Sequence, residues 1–321
     1  MTLSVVIPVR NDPDGLTRLL TQLSQMQIAE RILVCDDASD IPCRPADLGF
    51  DEAGMGITYL RSDAHLGAGH ARNMGIRALE TDHVLFFDSD DLLTDDLPLL
   101  LADLTGHEFD FCIFRHIDSR QRDKGTPGPM PSDQDLWEQA GLMSDTPFLI
   151  DRSQAAQIVM ISAYPWNKIY RTAFLQEAAI RCTEIPVHND IELHWTGFLK
   201  AERIYASARL CCEHFVHKHG DRLTNQRGQE RLRVFEALDP LHDVLHDTAQ
   251  ETVFLLPMAR FYTRLFGWIL TTLDSSHHQT FYHKVADFLL DQHTPTTMAL
   301  IAAEDPGLAR HINSLIRRGW A

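Results

Sequence analysis

Short apolar runs alternate with amphipathic stretches through the first hundred residues, and no other feature constrains the fold as tightly. Leu3-Ser4-Val5-Val6-Ile7-Pro8 reads as a buried strand closed by proline. Asn11 or Asp12 can cap a helix starting near Pro13, with leucines at 16, 19, 20 and 23 along one face. Arg31-Ile32-Leu33-Val34-Cys35 and Ile57-Thr58-Tyr59-Leu60-Arg61 are further strands. His65-Leu66-Gly67-Ala68-Gly69 leads into a helix through Arg72, Asn73, Ile76 and Leu79, and residues 83–87 form the next strand. Strands that are apolar on both faces and separated by helices make a parallel sheet covered on both sides. The fold class is α/β.

The strand at 83–87 breaks off into Asp88-Ser89-Asp90-Asp91. In open α/β sheets, ligands sit at the carboxyl ends of parallel strands. Alternating carboxylates on a tight turn supply hard oxygen ligands for Mg²⁺ or Mn²⁺, ions that also hold phosphate. The competing reading is a turn or a helix cap. Thr94 and Asp95 are expected to cap the following helix, which leaves the earlier acids without that task.

Two other sites are set aside. A dinucleotide-binding domain needs glycines after the first strand, where this chain has Val9-Arg10-Asn11-Asp12. Gly67-Ala68-Gly69-His70-Ala71-Arg72 has arginine in the third glycine position and follows the third strand. A phosphatase of the haloacid dehalogenase type carries its acid pair on the first strand, and here the pair follows the fourth.

Composition bounds the partners. The formal net charge is −16, against nucleic acid as a main partner, since that binding rests on Lys and Arg neutralising phosphates. Hydrophobic residues at 44% and charged residues at 23% fit a globular chain, and 321 residues suit one large domain plus an appended one. No apolar run is expected to span a bilayer, and the N-terminus enters a strand without a basic-then-apolar leader. Six cysteines without a CxxC pair read as reduced, mostly buried thiols in the cytoplasm.

Further along, residues 109–115 are strand-like, residues 118–135 read as a loop, and a helix is expected at about 172–180. Ile185-Pro186-Val187-His188-Asn189-Asp190 brings an acid to the start of a helix carrying Ile191, Leu193, His194, Trp195 and Leu199. From about 226 the pattern is helical, with breaks expected at Pro240, Pro257, Pro295 and Pro306. The expected domains are 1–226 and 227–321, the second a helical appendage or an oligomer contact.

Taken in order, Ser4-Val-Val-Ile-Pro-Val-Arg-Asn, Val34-Cys-Asp-Asp-Ala-Ser-Asp, Gly69-His-Ala-Arg-Asn-Met-Gly and Phe87-Asp-Ser-Asp-Asp resemble the successive motifs of family 2 glycosyltransferases. Trp166-Asn-Lys-Ile-Tyr-Arg, Asp190 and Phe215-Val-His-Lys-His with Thr224 continue the resemblance, which covers roughly residues 2–226. It implies a GT-A fold, a nucleotide-sugar donor held through a divalent metal, and sugar transfer with inversion.

The resemblance also implies roles. Pro8 and Arg10 line the nucleoside pocket, Asp37 reads a uracil ring, and Asp36 contacts the ribose or caps its turn. Arg72, Asn73, Ser89 and Asp91 attend the donor's diphosphate and sugar. Asp88 and Asp90 hold Mn²⁺ or Mg²⁺, with His217 as an extra ligand; His217 and His219 can instead close over the diphosphate. Asp190 is the base that takes the acceptor hydroxyl's proton. Its rival reading is a helix N-cap, and Glu192 is the reserve base. The family usually shows Glu-Asp where this chain has Asn189-Asp190. Trp166, Lys168 and Trp195 meet the acceptor, although a tryptophan in such a place can equally be core.

The implied function is a cytoplasmic, metal-dependent, inverting glycosyltransferase at the inner face of the membrane. The donor is a UDP-sugar and the acceptor a glycan or lipid-linked saccharide, with a homo-oligomer formed through the C-terminal helices. Two alternatives share parts of the pattern. A sugar-nucleotide nucleotidyltransferase has the sheet and metal site but needs a Gly- and Arg/Lys-rich loop after the first strand, which Arg10-Asn11-Asp12-Pro13 does not supply. A catalytically inactive glycan-binding scaffold is favoured only by Asn189.

Overall fold

A computed structural model of the chain describes residues 1–215, 227–247 and 251–320. The chain divides into two compact units, Met1–Glu184 with Asn189–Lys218, and Ile185–His188 with His219–Ala321. The boundary expected at 226/227 abuts residues outside those described.

In the first unit the strands are, in chain order, β1 (Leu3–Val9), β2 (Arg31–Asp36), β3 (Ile57–Arg61), β4 (His83–Phe86), β5 (Leu92–Leu93), β6 (Phe111–Asp118), β7 (Phe148–Leu149), β8 (Lys168–Arg171) and β9 (Ile204–His214). They form one sheet in the order β3-β2-β1-β4-β8-β6-β9-β5, with β7 also on β9. β3, β2, β1 and β4 are mutually parallel, β8 is antiparallel to both β4 and β6, and β6 runs parallel with β9. Every residue of β1 is buried, as the apolar run requires of a strand covered on both faces. The register sets Val9 opposite Asp36 and Val6 opposite Phe86, so the acids after β2 and β4 emerge at the same, carboxyl end of these parallel strands.

Helix α1 (Pro13–Met26) starts where Asp12 accepts from the Gly15 amide at 3.1 Å, and it buries Leu16, Leu19, Leu20 and Leu23. Helix α2 (Ala68–Arg77) follows Gly67, whose φ of 97° belongs to the region that favours glycine. In α3 (Asp96–Leu104) the expected caps are absent: Thr94 Oγ1 donates to the Leu210 carbonyl at 2.6 Å, and Asp95 makes no capping bond. The stretch read as a loop contains α4 (Ser119–Arg122) and the start of α5 (Pro131–Gln139), which opens on a proline at its first turn. Next come α6 (Arg152–Ile158) and α7 (Thr172–Glu177), the latter ending short of the expected 180. Helix α8 (Ile191–Lys200) is buried along nearly its whole length, polar His194 and Thr196 included. All six cysteines are free and buried, as expected.

The second unit contains α9 (Phe235–His246), α10 (Glu251–Thr272), α11 (His278–Gln292), α12 (Pro295–Glu304) and α13 (Pro306–Gly319). Its core joins Phe235 to Phe281 and Phe288 at ring separations of 5.8 and 5.6 Å, and Phe266 to Phe288 at 5.7 Å. The prolines act in two ways. Pro295 and Pro306 open helices capped by Thr294 and Asp305, where a missing amide hydrogen costs nothing. Pro240 and Pro257 lie inside α9 and α10, where each removes one helical hydrogen bond without ending the helix. Against the expectation of no spanning segment, Thr252–Thr272 is long and apolar enough to cross a bilayer, at mean hydropathy 1.2, with half of that window buried inside the protein. Burial of half the window is the pattern of a helix that packs one face and leaves the other outward.

Candidate active site

Past β4 the chain turns tightly, with the Asp91 amide donating to the Asp88 carbonyl at 3.2 Å. The turn is clamped from α1: Arg18 donates to the Asp90 carbonyl at 2.7 Å, and Ser89 Oγ donates to Asp12 at 2.7 Å. Ligand-capable oxygens of Asp88, Asp90 and Asp91 lie within 4.8 Å of one another. Three carboxylates this close repel, and a small hard cation is the group that relieves them. The donor set therefore fits Mg²⁺ or Mn²⁺, with Asp88 and Asp90 the partly exposed members.

Asp91 is 1% exposed, which corrects the expectation that it meets sugar hydroxyls. Its carboxylate accepts from the Phe215 amide at 2.9 Å and from His214 Nδ1 at 3.0 and 3.1 Å. Burial, and then the neighbouring Asp90 and Asp88, push its pKa up to about 6 against the pull of His214. Burial alone would pull the His214 imidazole down, but Asp91 and its acidic neighbours hold it above its ordinary value. His214, unremarked in the sequence, is thus the described histidine beside the acids. His217, His219 and Thr224 lie outside the described residues.

Arg72, 4% exposed, joins the acid turn to a second segment. Its guanidinium donates to Asp88 Oδ1 at 2.6 Å and to Asn189 Oδ1 at 2.8 Å. Burial opposes the charge, yet Asp88 keeps Arg72 fully protonated. The close approach depends on Gly69, because a Cβ there would lie 2.3 Å from the Thr183 carbonyl. Asn73 fastens the same contact by exchanging bonds with the Cys182 backbone, both at 2.9 Å, and donating to Glu184 at 3.1 Å. It is therefore a fastening between α2 and residues 182–184, not a diphosphate ligand.

Asp190 sits at the N-cap of α8, but its side chain makes no capping bond. Burial lifts its pKa from 3.8 to about 6, with Asp88 adding to the rise while Arg72 and Lys168 oppose it. A carboxyl so poised can accept a proton near neutral pH. Glu192, the reserve base, is committed elsewhere, to Thr183 Oγ1 at 2.5 Å and Arg181 Nε at 3.3 Å.

Other residues expected to meet ligand are buried and paired within the fold. Asp36, 0% exposed, accepts from the Ser39 and Cys43 amides, Tyr59 and Arg61 at 2.7, 2.9, 2.7 and 3.1 Å. Those bonds outweigh burial and hold it below the usual carboxylate range; it caps its turn and has nothing left for a ribose. Asp37 accepts from the Leu66 and Gly67 amides, both at 2.8 Å, and contacts His65 Nδ1 at 2.6 Å, fixing the entry to α2. Pro8 is buried opposite Cys35, so Arg10, not Pro8, is exposed at that strand end.

Trp166 is 1% exposed and clustered with Tyr164 and His214, at ring separations of 4.3 and 5.1 Å, and Trp195 is 0% exposed within α8. Neither ring presents a face to a saccharide. Lys168 is also fully buried, donating to the Tyr164 carbonyl at 2.7 Å and to Asn167 at 2.6 Å, and burial lowers its pKa to about 7. Arg18 and His65 carry no mark in the sequence, because nothing local shows that a helix arginine will reach the Asp90 carbonyl or a loop histidine the Asp37 carboxylate.

Residues 4–175 match the family described as glycosyl transferase family 2. Over 87 residues the chain is 42% identical to the pre-mycofactocin glycosyltransferase of Mycobacterium tuberculosis (strain CDC 1551 / Oshkosh), a stretch of 27% of this chain and 17% of that protein. Among solved structures, S. aureus TarS in complex with UDP-GlcNAc is similar at TM-score 0.78 and 18% identity, over 99% of this chain and 89% of that one. The mannosyltransferase PcManGT from Pyrobaculum calidifontis, in complex with GDP-Man and Mn²⁺, is similar at TM-score 0.57 and 13% identity, over 99% and 86%. The shared architecture is the GT-A fold, a mostly parallel sheet flanked by helices, and the chain also carries a C-terminal helical region.

Proposed function

The chain belongs to glycosyl transferase family 2, and on that premise we propose that it moves a sugar with inversion from a UDP-sugar to a hydroxyl of a glycan or lipid-linked saccharide. The observation that carries this reading is the Arg72 fork, which ties Asp88 of the acid turn to the residue preceding Asp190. Acids of two kinds are thereby held together: one set suited to a cation and diphosphate, the other a single raised carboxyl suited to a proton.

In this reading Asp88 and Asp90 hold Mn²⁺ or Mg²⁺, which when bound offsets charge on the departing nucleoside diphosphate. Asp190 accepts the proton of the acceptor hydroxyl. The freed oxygen attacks the anomeric carbon as the bond to the diphosphate breaks and its electron pair leaves with the nucleotide. Arg72 keeps the two sides in register. Support for a nucleotide-sugar donor comes from similar folds that bind UDP-GlcNAc or GDP-Man, the latter with Mn²⁺. We place the reaction in the cytoplasm at the inner membrane face, with self-association through the C-terminal helices.

Nucleotide release from a panel of UDP-, GDP- and dTDP-sugars, with Mn²⁺ or with chelator, tests the proposal. Release is expected from a UDP-sugar with Mn²⁺ and is lost on chelation. Turnover indifferent to chelator defeats the metal role, and no turnover with any donor and acceptor defeats the catalytic reading.

A further inference from the structure

The Asp190 side chain makes no capping bond to α8, so its place depends on the backbone that delivers it. That backbone is closed into a loop, with the Thr183 amide donating to the Asn189 carbonyl at 3.0 Å. Arg72 holds Asn189 through its side chain, at 2.8 Å. The residue before it, His188, belongs with Ile185–Val187 to the helical unit, although Asn189 opens the next stretch of the sheet unit. Ile185 and Val187 are buried, which fixes the loop at its apolar positions.

His188 has a φ of 67°, in the left-handed region that residues with a Cβ avoid. Such a residue stays there only where its surroundings over-determine it, and residues of this kind gather at functional sites. Two side chains of the helical unit supply the hold. Arg231 Nη1 lies 3.4 Å from His188 Nε2, and the Trp268 ring stands nearly perpendicular to the imidazole at 5.5 Å. Arg231 has only N–H donors, so Nε2 accepts and the imidazole is neutral, with its hydrogen on Nδ1. Burial, and then the Arg231 charge, pull the imidazole pKa down to about 3, in keeping with that state. The guanidinium also lies over the Trp268 ring, 4.7 Å from its centroid, which closes a triangle of contacts.

Both holders stand on fixed parts of the helical unit. Arg231 is 0% exposed within the 3-10 helix Gln229–Val234, and Trp268 lies on α10 between buried Phe266 and Ile269. The Asp274 amide, just past α10, donates to the Arg227 carbonyl at 2.9 Å and ties the two segments together.

We infer that Arg231 and Trp268 are positioning residues for sugar transfer, holding His188 in its left-handed turn and thereby setting where the Asp190 carboxyl stands. The inference rests on Asp190 being the base. A group displaced by about 1 Å from its productive place can cost about 100-fold in rate, so a loosened turn shows in kcat and not in donor affinity.

Trp268 is 45% exposed, so replacing it removes little core, and Trp268→Ala is the main variant. Trp268→Phe keeps an aromatic ring, and His188→Asn tolerates the left-handed region but lacks the imidazole. Thermal melts confirm that each full-length variant is folded. Nucleotide release is expected to show kcat lowered about 10- to 100-fold in Trp268→Ala and His188→Asn, donor KM within threefold, and most of the loss recovered in Trp268→Phe. Hydrogen exchange in the peptide 184–190 is expected to quicken in Trp268→Ala and to return toward the parent in Trp268→Phe. Added to Asp190→Asn, Trp268→Ala is expected to lower kcat no further. Parent-like exchange in Trp268→Ala overturns the hold on His188. Quickened exchange with parent-like kcat, or losses that add in the double variant, overturn the positioning role. Normal transfer by Asp190→Asn with quickened exchange in Trp268→Ala overturns the base reading, and with it this role, while leaving the hold on His188 in place.

Discussion

Replacing Asp190 with asparagine separates catalysis from folding more cleanly than any other change. The side chain makes no capping bond to α8, so an amide of the same shape breaks no helix contact. A positioned base contributes about 10²- to 10⁴-fold, so kcat is expected to fall by that factor, or roughly 3–5 kcal/mol of barrier. Donor binding stays near the parent value, because Arg72, Asp88 and Asp90 are untouched. Stability is expected to move the other way. A pKa raised from 3.8 to about 6 means that the folded state favours the neutral form by roughly 3 kcal/mol. The parent therefore loses stability as pH rises through 4 to 6, and a permanently neutral asparagine escapes that loss. Above pH 6 the variant should melt no lower than the parent, and the difference should vanish below pH 4. The parent's kcat should fall about tenfold per pH unit below 6, since the base must be ionised. Initial rates of nucleotide release across pH 4.5–8.5, with thermal melts of both proteins, supply the data. A variant transferring within tenfold of the parent, or a parent profile without an acid limb, refutes Asp190 as the base.

Three further outcomes probe the surroundings. Arg72→Lys keeps the charge but loses the fork that reaches Asp88 and Asn189 together, so kcat should drop about 10- to 100-fold in the release assay; an unchanged kcat removes its positioning role. Asp36→Asn leaves buried donors unmatched and should cost about 2–4 kcal/mol in urea denaturation, with donor KM within threefold; a tenfold rise in KM at full stability restores a nucleotide role. Gly69→Ala drives a methyl into the Thr183 carbonyl, at 2.3 Å, and should lower both stability, by about 1–3 kcal/mol, and kcat; a neutral outcome shows that residues 182–184 are not held against α2.

The element order was legible because it rests on local pattern. The apolar run 3–8, the leucines at 16, 19, 20 and 23 and the acid turn at 88–91 each report neighbours a few positions away, and strand and helix periods differ enough to be told apart. Prolines were harder to read. Pro295 and Pro306 begin helices and Pro240 and Pro257 lie within them, and the same residue type serves both because packing of the phenylalanine core decides whether a broken bond is tolerated.

The role of each acid was decided by the fold. Asp36, Asp37, Asp88, Asp90, Asp91 and Asp190 look alike on paper, since a carboxylate at a strand or helix end can cap, bind metal or take a proton. What separates them is which donors arrive from elsewhere. Tyr59 and Arg61 claim Asp36, His214 claims Asp91 from 123 positions away, and Arg72 claims Asp88 while leaving Asp190 with its own backbone amide and more distant charge. The sequence by itself determined the α/β order, the acid turn and the family. Tertiary structure alone decided which tryptophans became core, which carboxylates were consumed and which kept a titratable oxygen, because burial and hydrogen-bond supply depend on residues brought together only by folding.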